Sequence, residues 1–98
     1  MISERTFLTN AKQLVKDYIQ KQWNKTFHKN SILVIEFCQI GSNYRCLLDC
    51  KKNNDQNYYE VTYRIDDDTY YLTVLEFKCV REYRFGIVEG QVISIDDD

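Results

Sequence analysis

The stretch Y58-Y-E-V-T-Y-R-I65, D66-D-D68, T69-Y-Y-L-T-V-L-E-F77 decides the fold. Two runs rich in aromatic and β-branched residues flank three aspartates, the pattern of two strands joined by a polar turn. Five of the eight tyrosines lie here: Tyr58, Tyr59, Tyr63, Tyr70 and Tyr71. An even-length loop from Asp66 sets Tyr63 opposite Tyr70 or Leu72, and Val61 opposite Leu72 or Val74. Apolar side chains then meet on one face, with Glu60, Thr62 and Arg64 on the other. A three-residue loop would set Val61 against Thr73, so the even register is expected.

Upstream, I32-L-V-I-E-F-C38 is a continuous apolar run of strand length, and it reads as a central strand, apolar on both faces. G41-S-N43 turns the chain into a second strand, Y44-R-C-L-L-D-C-K51. If those three residues are the whole loop, Ile40 pairs with Tyr44, Cys38 with Cys46 and Phe37 with Leu47. Leu33, Ile35, Phe37 and Leu47 then share the face turned away from Cys46. A later segment of the chain or a second subunit is expected to cover that patch.

Further back, Phe7, Leu8, Ala11, Leu14, Val15, Tyr18, Ile19 and Gln22/Trp23 recur at intervals of three and four. That periodicity predicts a helix over about Ser3–Asn24, capped by Ser3 with Glu4 in its first turn. Lys12, Lys16 and Lys21 fall on its remaining surface.

Downstream, K51-K-N-N-D-Q-N57 is a polar loop, expected to be the most mobile internal segment. Leu72–Tyr83 changes phase: Tyr70, Leu72 and Val74 share one parity, and Leu75, Phe77 and Cys79 the other. A strand with a β-bulge near Val74–Glu76 is preferred over a helix, which the spacing of Leu72, Leu75, Cys79 and Tyr83 also fits. From Gly86 the chain gives a turn, a short last strand near Gln91–Ile95, and an acidic tail. The layout is one α+β domain: an N-terminal helix on a four- to five-stranded antiparallel meander, broadly cystatin-like.

The 98 residues suffice for one modest core. No apolar run approaches the ~20 residues of a membrane span, and no signal peptide is visible, so a cytoplasmic protein is expected. The net charge of −2 divides into +5 over residues 1–52 and −7 over residues 53–98. Such a split can orient a partner.

Cys46 and Cys50, four apart on a strand, lie roughly 13 Å apart, beyond a disulfide or a shared tetrahedral site. Cys38 and Cys46 would be close enough to bridge in the register above, but in a reducing compartment they should be buried thiols. His28 stands alone in a loop, without a nucleophile partner. The aspartate runs 66–68 and 96–98 lack the spacing of a calcium loop. No cofactor, metal or catalytic set is expected.

The segments N10-A-K-Q-L-V-K-D-Y-I19, V34-I-E-F-C-Q39, Y58-Y-E-V-T-Y63 and T69-Y-Y-L-T-V74 together resemble an uncharacterised family of small phage-borne proteins of Gram-positive bacteria. The likeness runs from about Asn10 to Glu82. Asp66–Asp68 stands in place of a glycine-containing turn, and Cys46 and Cys50 are additions. The resemblance implies expression from a mobile element inside an infected bacterium, and it carries no catalytic residues.

The leading expectation is a non-enzymatic binding protein, an inhibitor of a host defence nuclease of the anti-CRISPR kind. Its acidic, tyrosine-rich surface would comprise Tyr58, Glu60, Asp66, Asp67, Asp68, Tyr70 and Glu76. Two alternatives stand beside it. One is a module that self-associates, as a homodimer, through Leu33, Ile35, Phe37 and Leu47. The other is a nucleic-acid or small-ligand binder using the basic helix face, for which the lysines are sparse.

Overall fold

The computed structural model describes residues 2–53, 57–76, 80–88 and 91–94. The first element is α1, Glu4–Trp23. Ser3 enters it in extended conformation, and its Oγ accepts from the Thr6 amide at 3.1 Å, satisfying one of the free N–H groups of the first turn. Asn24 closes the helix in the left-handed region (φ 54°), its N–H donating to the Gln20 carbonyl at 2.8 Å. Phe7, Ala11, Leu14, Val15, Tyr18 and Ile19 are buried, the expected stripe. A 3₁₀ turn, Lys29–Ser31, follows. His28 caps it, Nδ1 accepting from the Asn30 amide at 3.1 Å, which gives the one histidine a local structural role.

The sheet is an antiparallel meander of β1 (Leu33–Ile40), β2 (Asn43–Asp49), β3 (Tyr58–Arg64), β4 (Thr69–Leu75), β5 (Val80–Val88) and the short β6 (Gln91–Ser94), in that spatial order. The helix lies across one face. Phe7 touches Phe37 of β1, Tyr44 of β2 and Tyr70 of β4, with ring centroids 5.3–6.2 Å apart. Tyr18 reaches Tyr59 of β3 at 5.9 Å and Tyr83 of β5 at 5.4 Å. The core is therefore one layer between α1 and the inward residues of β2, β3 and β4: Tyr44, Cys46, Leu48, Tyr59, Val61, Tyr63, Tyr70, Leu72 and Val74. Among the described residues a helix covers one face only, an arrangement that antiparallel sheets tolerate.

The β3–β4 hairpin has the even register. Tyr63 opposes Tyr70, Val61 opposes Leu72 and Tyr59 opposes Val74. Four residues, Ile65–Asp68, make the turn, with Asp68 at φ 49° and its N–H donating to the Ile65 carbonyl at 3.3 Å.

Three expectations for the other strands are corrected. First, β1 is an edge strand and not a central one. Its apolar composition leaves Leu33 (45%), Ile35 (51%) and Ile40 (66%) exposed. Second, the β1–β2 loop is two residues, Gly41 and Ser42, since Ile40 already pairs with Asn43. Gly41 has φ +61° and Ser42 is not in the positive region, the II′ pattern with glycine first. Cys38 therefore faces Arg45, and Phe37, not Cys38, faces Cys46. A bulge at Ile35 restores the parity, so that Val34 pairs with Leu48 and Leu33 with Asp49. Third, the phase change near Leu75 is no bulge: the chain reverses, and Leu75 pairs with Val80 at the start of β5. Phe77 and Cys79 lie outside the described residues. Gly86 itself sits within β5, paired with Ile93 of β6; the reversal expected before the last strand falls between Val88 and Gln91, which pair.

Candidate interaction surface

Directly opposed residues of an antiparallel pair share a face, so the register fixes what each face presents. Opposite the helix, one row crosses the sheet as Cys38, Arg45, Thr62, Tyr71 and Arg84, and the next as Glu36, Leu47, Glu60, Thr73 and Glu82. Arg45 joins the rows. Its Nε donates to Glu60 Oε2 at 2.9 Å and its Nη1 to Glu36 Oε1 at 3.2 Å. Hydrogen bonding to Glu60 and its charge raise the guanidinium further above its usual range. This face is cross-linked by Arg45 and mixes charged with apolar residues, and among the described residues no helix lies over it.

The tip of the β3–β4 hairpin is the most concentrated acidic feature among the described residues. Asp66, Asp67 and Asp68 are all exposed. Two are held by phenols from the flanking strands: Tyr63 Oη donates to Asp68 Oδ1, and Tyr71 Oη donates to Asp67 Oδ2 at 3.0 Å. Thr69 Oγ1 also donates to the Asp67 carbonyl, at 2.8 Å. Burial, then the Asp68 hydrogen bond and charge, push the Tyr63 phenol above its usual range. For Tyr71 the Asp67 hydrogen bond is the first cause of its rise. Arg64 lies over the Tyr71 ring at 5.9 Å. The tip is thus a projection of three exposed aspartates, two of them braced by phenols of the flanking strands.

The residues expected to form one acidic surface are not brought together. Asp66–Asp68 sit at the turn. Tyr58, 47% exposed, lies at the far end of β3, about 20 Å away by strand rise. Glu76 follows β4 at that same far end, 3.5 Å from Arg81. Glu60 stands between on the open face, paired with Arg45. Tyr70 belongs to the core: it is buried, its hydroxyl accepts from Asn10 Nδ2 at 2.8 Å, and burial raises its phenol. The tyrosines that matter at the tip are Tyr63 and Tyr71. Their flanking of the aspartate run was the available signal.

The apolar set Leu33, Ile35, Phe37 and Leu47 also divides. Leu33 and Leu47 lie on the open face and Ile35 on the bulge, but Phe37 turns to the helix and packs on the core. On α1, Lys12 and Lys16 share a stripe with Arg5, while Lys21 lies round the helix in the last turn.

Cys46 and Cys50 are buried and Cys38 is half-buried, and none of the three is in a disulfide. Burial pushes the Cys46 thiol up to about 12, which makes it a poor nucleophile. Among the described residues no cluster of three His, Cys, Asp or Glu side chains is placed to hold a metal ion. Among those same residues no helix is long and apolar enough to cross a membrane.

Residues 8–77 match a family of unknown function, DUF6275. The match covers well over half of the 98 residues, so the chain belongs to that family. Neither a curated protein nor a solved structure matches it.

Proposed function

We propose that this member of a family without assigned activity is a non-enzymatic binding protein of a phage or mobile element. In this reading it occupies a basic, nucleic-acid-binding groove of a host protein, with a defence nuclease as the candidate target. The observation that carries the proposal is the braced tip, where Tyr63 and Tyr71 hold the Asp68 and Asp67 carboxylates. Three exposed carboxylates on a pre-ordered turn lose little conformational freedom on binding, and they oppose a row of lysines or arginines in kind. The mobile-element context rests on the resemblance carried by Y58-Y-E-V-T-Y63 and the segments around it.

The test is capture from host lysate with the tagged wild-type protein and with Asp66→Asn/Asp67→Asn/Asp68→Asn, read by mass spectrometry. Asparagine keeps an oxygen for the tyrosine hydroxyls and removes only the charge. One stoichiometric nucleic-acid-binding protein, retained by the wild type and lost by the variant, is the expected result. Equal retention by both proteins would sink the role of the tip.

A further inference from the structure

The exposed edge of the sheet differs from the tip in character. β1 ends the strand order, so among the described residues one side of its backbone has no neighbour in the sheet. Such edges are usually protected by charge, proline or bulges. Here the protection is partial: a bulge at Ile35, then Glu36–Ile40 running in regular register with β2. A regular stretch of five residues remains, enough for a short added strand.

The two sides of that edge differ chemically. Facing away from the helix are Leu33, Cys38 and Ile40, with Glu36 already held by Arg45. On the helix side, Arg5, Lys12 and Lys16 form one stripe at helical spacing. Asn10 bonds Tyr70 of β4, and Lys12, 200° further round the helix by its 100° per residue, falls on the opposite flank, toward β1 and β2. The Lys12 charge is felt by Cys46 of β2, in agreement with that placement.

We infer that β1 is a docking edge for an extended segment of a partner protein in which acidic residues alternate with apolar ones. Strand pleating sends successive side chains of an added strand to opposite faces. Those on the helix side meet Arg5, Lys12 and Lys16, and those on the open side lie beside Leu33, Cys38 and Ile40. A second copy of this chain fits less well. Antiparallel β1–β1 pairing about a two-fold axis would put both helices on one face, with their basic stripes side by side.

The experiment uses a blocked heptapeptide of alternating glutamate and valine, titrated to about 1 mM into the full chain. The readouts are the dissociation constant and amide exchange of residues 33–40. A peptide with lysine for glutamate is the control, and Lys12→Glu/Lys16→Glu is the variant, its fold checked by circular dichroism. Expected are slowed exchange confined to β1, little or no binding of the lysine peptide, and about tenfold weaker binding by the double variant. Asp66→Asn/Asp67→Asn/Asp68→Asn should bind the heptapeptide as the wild type does, which separates this edge from the tip. Absence of β1 protection, or equal binding of both peptides, overturns the inference. So does concentration-dependent β1 protection without peptide, which would assign the edge to self-pairing. Salt-sensitive binding of a single-stranded oligonucleotide through Lys12 and Lys16 that displaces the heptapeptide would overturn it as well.

Discussion

Replacing Tyr63 by phenylalanine isolates the brace at the hairpin tip. The ring is 3% exposed and packs on Tyr70 at 4.9 Å between centroids, and both features survive the change. What is lost is the hydroxyl that donates to Asp68. A hydrogen bond to a charged group contributes about 1.5–3 kcal/mol, but Asp68 is exposed and water replaces part of it, so about 1 kcal/mol is expected. For a domain of this size that lowers the melting temperature by about 4–8 °C.

The pH dependence adds a signature that a packing defect would not give. The folded-state phenol is raised above the usual 10.0 by burial and by Asp68. Its contribution is therefore fully present below that value, and it is lost as pH rises toward the folded-state pKa, because the unfolded chain releases the proton first. The wild-type advantage over Tyr63→Phe should fall by about 1.4 kcal/mol per pH unit once pH exceeds 10, the usual phenol value, for as long as the folded-state phenol keeps its proton. Urea unfolding of both proteins at several pH values measures it. A difference that is absent at neutral pH, or that stays constant through pH 11, would refute the brace.

Ser3→Ala removes the helix cap and should cost about 1 kcal/mol, read as a lower urea midpoint with unchanged slope. Leu72→Ala opens a cavity between Val61, Tyr83 and the helix, where Leu72 is fully buried, and should cost about 3 kcal/mol in the same assay. Among the described cysteines, Cys38 should be alkylated first in the folded protein, with Cys46 and Cys50 reacting only on unfolding. Peptide mapping after timed iodoacetamide treatment checks that order.

Where local chemistry and long-range packing agree, the sequence was legible. The α1 stripe, its Ser3 cap and the Tyr63–Tyr70 register follow from helical spacing, side-chain oxygen chemistry and strand parity. β1 departs from its sequence signal because a continuous apolar run implies burial on both faces. Its helix side is half-buried through Val34 and Phe37, which pack against the core, while Leu33, Ile35 and Ile40 remain exposed at an edge. Its register was misread by one because G41-S-N43 looks like a three-residue turn. Only Gly41 takes a positive φ, and Asn43 already pairs. The bulge at Ile35 then hid the slip by returning Leu33 and Val34 to the expected faces. The reversal after Leu75 carries no glycine or proline, so its parity change looked like a bulge. At the candidate site the run Asp66–Asp68 is legible from composition alone. Which tyrosines brace them depended on which faces point inward, and there Tyr70 gave way to Tyr63 and Tyr71.

The most direct test of the acidic tip is competition on the captured host protein. Labelled nucleic acid is bound to that protein and displaced by the wild-type chain or by Asp66→Asn/Asp67→Asn/Asp68→Asn, at several salt concentrations. The account predicts displacement by the wild type that weakens as salt rises, and a variant that displaces poorly at every salt concentration. Equal displacement by both proteins, with no dependence on salt, would contradict it.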